Sequence, residues 1–282
     1  MEFILPCPMK ALEALKQIYP QSSRRTLQQW LKGGRFTVDG QILYKDSDTL
    51  ETGQILRSEE AFRPRTEGLL NILYEDRSLV VIDKPNGLLS VPLDTPSAQP
   101  NALELLRDLL RSDQIYPVHR LDKESSGSLL FAKGRESTDK LKDMFEKHDL
   151  EREYFAIVEG RLSEKKGTWD CTLKELPNFD VVVSYDPADG KRAITHFEVV
   201  RHSPKYTYLR LLLETGRKHQ IRVHCQKAGF PILGDKRYGS TENPLRRLAL
   251  HAQKLAFIHP FTGKPLSFSS TIPSCFKKLG VN

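Results

Sequence analysis

The chain has 282 residues, enough for one large domain or for two unequal ones. Its 43 Lys and Arg residues outnumber 36 Asp and Glu residues, and the net charge of +7 indicates an anionic partner such as nucleic acid, although charge can also serve solubility alone. No apolar stretch approaches the roughly 20 residues that span a bilayer, and the amino terminus lacks the features of a secretory signal, so neither membrane insertion nor export is expected.

The first predicted elements are two helices and a hairpin, which fill residues 1 to about 58. Apolar residues recur at helical spacing over 9–18, and Pro20 ends this first helix. A second helix begins after Ser22 or Ser23 and ends before a Gly-Gly pair. The turn at Asp39-Gly40, flanked by apolar residues, predicts the hairpin.

Four cations cluster at the ends of the second helix, away from its predicted buried side. They are Arg24, Arg25, Lys32 and Arg35. A positive rim of this kind suits a phosphate backbone, although a solvated helical face has the same pattern. The helix-helix-hairpin order, with Ser-Arg-Arg at the start of the second helix and Gly-Arg-Phe-Thr-Val-Asp-Gly after it, resembles the RNA-binding domain named after small-subunit ribosomal protein S-four. The resemblance implies that these cations bind RNA.

Residues 59–67 are charged, contain a proline and show no periodicity, so they are predicted to link a domain at 1–58 to a second at 68–282. The second domain is expected to be α+β with a largely antiparallel sheet, because its short strands lack a regular alternation with helices. The expected strands are 72–74, 79–82, one after Gly127, 154–158, 179–185, 194–200, 206–213, 255–258 and 266–269. Helices are expected over 102–111 and 137–148, and from the 215–224 segment to about Gly229.

The most informative segment is 117–127, Pro-Val-His-Arg-Leu-Asp-Lys-Glu-Ser-Ser-Gly. It places one carboxylate, Asp122, among cationic and hydroxyl groups just before an apolar strand. Reactive groups are often found on loops that a rigid scaffold holds in place. Asp122 is therefore the first candidate for chemistry. The alternative is a turn-capping aspartate that pairs with Arg120 or Lys123 at the surface.

Four further segments are dense in polar groups: 83–88, 152–160, 215–224 and 250–263. With the 117–127 segment, and in this order, they resemble the large-subunit ribosomal pseudouridine synthase A family (RluA-type) of RNA-modifying isomerases. The most specific motifs are His-Arg-Leu-Asp, with Ser-Gly four residues on, and Gly-Arg-Lys-His-Gln-Ile-Arg-Val-His, followed by Ala-Gly-Phe-Pro-Ile-Leu-Gly-Asp-Lys-Arg-Tyr-Gly. The resemblance covers about 69–270. One departure is Ser125, where the family usually has threonine.

This resemblance implies a pseudouridine synthase fold, a bent sheet with a central cleft. It also implies isomerisation of uridine in structured RNA, with ribosomal RNA favoured over transfer RNA, and no cofactor. Asp122 would be the nucleophile, since a carboxylate can form and leave a covalent adduct. Desolvation raises a carboxyl pKa, so a nearby cation must keep Asp122 ionised. Arg222 is implied for that role, and Tyr154 is implied to pack on the target base and accept its proton.

The target nucleotide must leave its stack before an enzyme can reach these atoms. The resemblance implies that Arg120 fills the vacated position. His119 is expected to contact RNA or to steady the loop. Arg217, Lys218 and His219 are expected to contact the RNA backbone, which raises affinity without specifying sequence; a solvated run of charge is the alternative.

Two other classes of function stay open at this point. One is a non-catalytic RNA-binding or ribosome-assembly factor, and the other is a metal-dependent nuclease that uses Asp122 and His119. The histidines show no metal-ligand motif, so no metal is expected. The cysteines lack zinc-ligand spacing and are expected to be reduced thiols in a cytoplasmic protein. Nothing in the sequence demands more than a monomer.

Overall fold

The structure is a computed structural model that describes residues 2–20, 22–32, 36–43, 45–58, 70–93 and 99–279. The chain divides into two compact units, Met1–Gly68 and Leu69–Asn282. The predicted linker at 59–67 lies outside the described residues. The two units are therefore described separately.

The smaller unit contains the two predicted helices, α1 (Ala11–Ile18) and α2 (Arg24–Lys32). Its strands are β1 (Glu2–Ile4), β2 (Met9–Lys10), β3 (Phe36–Val38), β4 (Gln41–Ile42), β5 (Thr49–Leu50) and β6 (Ile55–Ser58). Both residues of the Asp39-Gly40 turn have positive φ, as the predicted hairpin between β3 and β4 requires. Strands β1, β2, β5 and β6 were not predicted, because segments this short carry little periodicity.

The core of the smaller unit forms where the helices pack on the sheet. Leu15, Leu27 and Leu31 are fully buried, together with Phe36 of β3. The Tyr19 ring contacts Phe36 at a centroid distance of 6.0 Å. The buried side of α2 is therefore the one that its apolar spacing predicts.

The larger unit is built on one sheet of 11 strands, with the order β13-β12-β14-β15-β11-β16-β10-β8-β7 and with β17 and β9 paired at its side. The strands are β7 (Asn71–Glu75), β8 (Leu79–Lys84), β9 (Ile115–Pro117), β10 (Ser126–Lys133), β11 (Leu150–Glu159), β12 (Lys166–Glu175), β13 (Val181–Ser184), β14 (Lys191–His202), β15 (Tyr206–Leu213), β16 (Leu250–Ile258) and β17 (Pro265–Ser269). Among the described strand pairs, β10–β16 is parallel and the others are antiparallel. The prediction of an α+β domain with a largely antiparallel sheet is confirmed.

Three helices of this unit lie close to their predicted positions: α3 (Ala102–Leu110), α4 (Arg135–Lys147) and α5 (Gln220–Lys227). A short further helix, α6 (Ser274–Lys277), was not predicted. The Asn101 side chain caps α3 by accepting a hydrogen bond from the Glu104 amide. Left-handed residues end α3 at Arg111 and α4 at His148.

Several strand predictions need correction. Strand β9 was not expected, because three residues carry little periodicity, and β11 begins at Leu150, four residues before its predicted start. Strand β12 was not expected, because its residues are mostly partly or fully exposed and only Leu173 is buried, so it lacks an apolar run. Strand β13 begins at Val181 and not at 179, since Phe179 has a positive φ of 64° in the preceding turn. Strand β16 begins at Leu250, five residues before the predicted start, because His251 is buried despite its polar ring.

The parallel contact between β10 and β16 fixes the end of the 117–127 segment. Gly127 pairs with Ala252 and has a φ of 115°, a conformation that favours glycine. A Cβ atom at this position would overlap the Ala252 backbone. The glycine therefore lets β10 approach β16 closely enough to set where the preceding loop emerges.

Candidate active site

The loop that carries Asp122 is held by backbone hydrogen bonds on both sides of that residue. The Ser90 hydroxyl donates to the Leu121 carbonyl at 2.7 Å and accepts from the Leu121 amide at 3.0 Å. The Ser125 amide donates to the Asp122 carbonyl at 3.1 Å, which closes the turn. The Gly87 amide donates to the Lys123 carbonyl at 2.8 Å. The backbone around Asp122 is thus fixed while its side chain stays partly exposed, at 23%.

A buried lysine joins the 83–88 segment to this loop. Lys84 is fully buried, and its ammonium donates to the carbonyls of Leu88 at 2.7 Å, Pro85 at 3.1 Å and Lys123 at 3.3 Å. Burial lowers the pKa of Lys84 to about 8, against the opposing effect of the negative charges on Asp122 and Glu124. Through Lys84, the polar 83–88 segment therefore stabilises the loop that carries Asp122.

Arg222 lies between two carboxylates. Its Nη1 atom is 3.2 Å from Oδ2 of Asp122. On the same guanidinium, Nε and Nη2 donate to Asp235 at 2.7 and 2.8 Å. Burial opposes the charge on Arg222, but the hydrogen bonds to Asp235 and the charges of Asp235 and Asp122 outweigh it, so the pKa of Arg222 is raised. Arg222 is therefore a permanent cation beside Asp122.

The start of α5 is anchored so that Arg222 points at Asp122. The Gln220 side chain donates to the Ile194 carbonyl and to the Thr195 hydroxyl, both at 2.9 Å. Its amide oxygen accepts from the Thr215 hydroxyl at 2.7 Å and from the Arg217 amide at 2.9 Å. Gln220 is buried; two of its four hydrogen bonds tie the helix to β14, and the other two tie it to the segment that precedes the helix.

His219 lies at the site and is mostly buried, with 9% of its side chain exposed. Its Nε2 atom is 3.9 Å from Oδ1 of Asp122, and its Nδ1 atom is 2.7 Å from the Tyr238 hydroxyl. That hydroxyl accepts from the Val181 amide at 3.1 Å, which favours donation of its proton to Nδ1 and leaves Nε2 to carry the imidazole hydrogen. Burial lowers the pKa of His219, against the effect of Asp122. His219 therefore lies between Asp122 and Tyr238, and its contact with the RNA backbone stays a prediction.

Tyr154 projects from β11 at an irregularity in its pairing with β16. The side chain is 9% exposed, and burial raises the pKa of its hydroxyl to about 12, with Arg152 opposing the rise and Asp122 adding to it. Tyr154 is a neutral phenol at physiological pH.

His119 is half-buried and contacts two elements of the larger unit. Its Nε2 atom accepts a hydrogen bond from the Leu130 amide at 3.0 Å, and its ring stacks on Phe145 at a centroid distance of 4.6 Å. Burial, aided by the charge of Arg152, lowers the pKa of His119 to about 3. These contacts hold the ring against β10 and α4, and contact of His119 with RNA stays a prediction.

The other predicted RNA contacts differ in exposure. Arg120 and Arg217 are exposed. Lys218 is partly buried; it pairs with Glu175 and lies 5.1 Å from the centroid of the Phe179 ring. In the smaller unit, Arg24 is exposed, Arg35 lies outside the described residues, and the side chains of Arg25 and Lys32 are likewise not described.

Within the described ranges, no group of three or more His, Cys, Asp and Glu side chains is arranged to hold a metal ion. The same residues include no helix long and apolar enough to cross a membrane. The four cysteines are unpaired; Cys225 is buried and Cys7 is exposed.

Comparison with known proteins identifies the family to which this fold and site belong. The family described as RNA pseudouridylate synthase matches residues 78–227, more than half of the chain. The chain therefore belongs to the RNA pseudouridylate synthase family, and it is an isomerase that converts uridine to pseudouridine in RNA. The predicted RluA-type membership is confirmed, which sets aside the metal-dependent nuclease.

Relatives and solved structures agree with this assignment. The chain is 34% identical to the ribosomal large subunit pseudouridine synthase D of Xanthomonas campestris, over 94% of this chain and 86% of the relative. It is 36% identical to the dual-specificity RNA pseudouridine synthase RluA of Haemophilus influenzae, over 74% of this chain and 96% of the relative. The fold is similar to that of human RNA pseudouridylate synthase domain containing 4, with a TM-score of 0.60 at 24% identity, over 73% of this chain and 90% of that chain.

Several residues of the site were not singled out by sequence reasoning. They are Lys84, Ser90, Asp235 and Tyr238. Lys84, Asp235 and Tyr238 lie inside motifs that carried the family resemblance, which was the available signal. Their contacts are made with distant parts of the chain, so spacing alone could not assign them.

Proposed function

We propose that Asp122 performs the isomerisation and that the substrate is ribosomal RNA of the large subunit. The observation that carries the first part is the ion pair between Asp122 and Arg222, whose Oδ2 and Nη1 atoms are 3.2 Å apart. The similarity to relatives that are ribosomal large subunit pseudouridine synthases D supports the second part. Retention of Asp122, Tyr154 and Arg222 together supports catalysis over a non-catalytic factor that has kept the fold.

The reaction breaks the bond between N1 of uracil and C1′ of ribose, and it makes a bond from C5 to the same carbon. The proton on C5 leaves, and N1 gains one, so the atoms of the substrate are conserved. Asp122 acts as the nucleophile or stabilises positive charge at the sugar, and it must be anionic for either role. Arg222 supplies the adjacent positive charge that favours the ionised carboxylate.

Tyr154 packs against the uracil and keeps the detached base in place. As a proton acceptor it would first have to lose its own proton, because its pKa of about 12 keeps the resting hydroxyl neutral. The positive charge of Arg152 lowers the cost of that step. If Tyr154 accepts the proton from C5, the rate of isomerisation is therefore expected to rise with pH.

The exposed cations bind the RNA. Arg120 immediately precedes the fixed Leu121 and forms no hydrogen bond or ion pair with a described residue, so it is free to enter the stack that the flipped nucleotide leaves. In the smaller unit, the rim of Arg24, Arg25, Lys32 and Arg35 acts as a second RNA grip. In this proposal residues 1–58 form that RNA-binding domain, and the enzyme works as a cytoplasmic monomer.

The test of the substrate is a chemical map of pseudouridines in RNA from cells with and without this gene. The proposal expects at least one position in large-subunit ribosomal RNA to lose its modification when the gene is deleted. It expects the modification to return with the wild-type gene and not with an Asp122→Asn gene. A deletion strain with an unchanged ribosomal map and a lost transfer RNA position would overturn the assignment to ribosomal RNA.

A further inference from the structure

Arg152 is a buried arginine that the reaction scheme above does not place in contact with substrate. It lies on β11 two residues before Tyr154, on the same face of the strand, and is 7% exposed. Its guanidinium donates to the Glu214 carbonyl at 3.1 Å and lies 5.7 Å from the centroid of the Phe145 ring. Its buried Nε atom has no hydrogen-bond partner among the described residues.

The charge of Arg152 is also not balanced by any carboxylate within the part of the chain that the structure describes. Arg222, at similar burial, has Asp122 and Asp235. Burying an unpaired cation is costly, and proteins normally pair such a group. An unpaired guanidinium beside an active site is therefore a place where a ligand anion completes the pairing.

The position of the guanidinium shows where that anion would lie. The Nη1 atom of Arg152 is packed directly against the Cα atom of Gly216, so closely that a Cβ atom there would overlap it. Gly216 and Arg217 are exposed, and Arg217 forms no ion pair with a described carboxylate. Arg217 follows Gly216 directly in the chain, so its backbone lies beside the Arg152 guanidinium. The Nε atom of Arg217 donates to the Arg192 carbonyl at 3.1 Å, and its two Nη atoms form no hydrogen bond with a described residue.

We infer that Arg152 and Arg217 together bind one phosphate group of the RNA strand that carries the target uridine. This inference rests on the proposed function, because it needs RNA in the cleft beside Tyr154. A phosphate suits the site because guanidinium groups bind its oxygens in a two-pronged geometry. The contact would fix the backbone next to the flipped nucleotide without reading a base.

The test compares variants in their binding to transcripts of large-subunit ribosomal RNA. Affinity is measured against KCl concentration, and the rate of conversion is measured in single turnover at saturating enzyme. Arg152→Gln is expected to raise Kd about tenfold and to reduce the slope of log affinity against log salt by about one. Arg152→Lys keeps the charge and is expected to retain the slope. Arg201→Gln removes an exposed charge that lies over the Tyr208 ring and is expected to change neither quantity.

The exposed Arg217 keeps the test decisive if Arg152→Gln is poorly folded. Arg217→Gln should lower affinity and slope as well, and the double variant should lose less than the sum of the two, because both residues bind one phosphate. Unchanged slopes in both single variants, or fully additive losses, would overturn the inference. An Arg152→Gln enzyme with an unchanged Kd and a slower rate at saturating enzyme would also overturn it, because Arg152 would then act on the reaction and not on RNA binding. The binding measurement does not depend on conversion of uridine. If the proposed RNA substrate is wrong, the wild type will show no turnover, and this result is distinct from the binding results for the variants.

Discussion

Asp235 occupies the Nε and Nη2 atoms of Arg222 and leaves Nη1 for Asp122. Asp235 is fully buried, whereas the Asp122 side chain is 23% exposed. The inner carboxylate therefore holds the guanidinium in place, and the outer one remains accessible for chemistry. This division predicts different consequences for changes at the two aspartates.

Asp235→Asn should destabilise the protein, because it leaves a buried guanidinium without its main counter-charge. Losses of about 3–5 kcal/mol are typical when one partner of a buried pair is removed. Asp170→Asn is the matched control, since Asp170 also accepts from Nε and Nη2 of an arginine but on the surface. It should cost far less than Asp235→Asn, because water screens an exposed ion pair. Urea unfolding of both variants makes the comparison, and equal losses would show that Asp235 is not an internal support.

Tyr154→Phe keeps the ring and removes the hydroxyl. RNA affinity should stay within about threefold, while the single-turnover rate should fall by roughly 10²-fold or more if the hydroxyl moves the C5 proton. In the wild type, the rate should rise from pH 7 to pH 9, since the pKa of Tyr154 is about 12 and the phenolate fraction grows throughout this interval. An active Tyr154→Phe enzyme with a flat pH profile would leave Tyr154 only a packing role.

His119 should make the fold sensitive to acid. Its pKa in the folded protein is about 3, below the ordinary value of 6.5, so the unfolded chain binds a proton in this interval that the folded protein does not. Stability is fully present above pH 6.5 and falls as the pH falls towards 3. Between pH 6.5 and 5 the wild type should lose about 1.5 kcal/mol more than His119→Gln, whose amide can still accept from Leu130. Urea unfolding at the two pH values measures this difference, and equal losses would contradict the assignment.

The smaller unit should contribute to RNA affinity through charge alone. Replacing Arg24, Arg25 and Arg35 with glutamine should weaken binding and lower the slope of log affinity against log salt, roughly in proportion to the phosphates no longer neutralised. The rate at saturating enzyme should not change, because the reacting groups belong to the larger unit. An unchanged slope would mean that this rim does not contact RNA.

Much of the fold follows from apolar periodicity, and the exceptions have a common cause. Strand β15 runs over the predicted residues, because its apolar residues form a distinct run. Strand β12 and the start of β16 were missed because polar residues occupy them, and their inclusion depends on neighbouring strands. Periodicity detects an element from its own residues and not from its partners.

The site likewise has features that the sequence predicted and features that it did not. The family motifs predicted that Arg222 faces Asp122, a contact across 100 positions of the chain. The same motifs did not show that Lys84 is buried under the loop, or that His219 turns inwards to Asp122 and Tyr238. Whether a charged side chain is buried depends on groups brought together by the sheet, and a linear sequence does not list those groups.

The central claim is that Asp122, with Arg222 beside it, performs the isomerisation. The most direct measurement is single-turnover formation of pseudouridine by purified Asp122→Asn, with RNA affinity measured on the same preparation. Glu124→Gln is the control, since Glu124 lies 3.8 Å from Arg222 but is 53% exposed. We predict a loss of roughly 10³-fold or more for Asp122→Asn, with affinity within a few-fold of the wild type and with Glu124→Gln still active. Pseudouridine formation by Asp122→Asn at a rate near that of the wild type would contradict the claim.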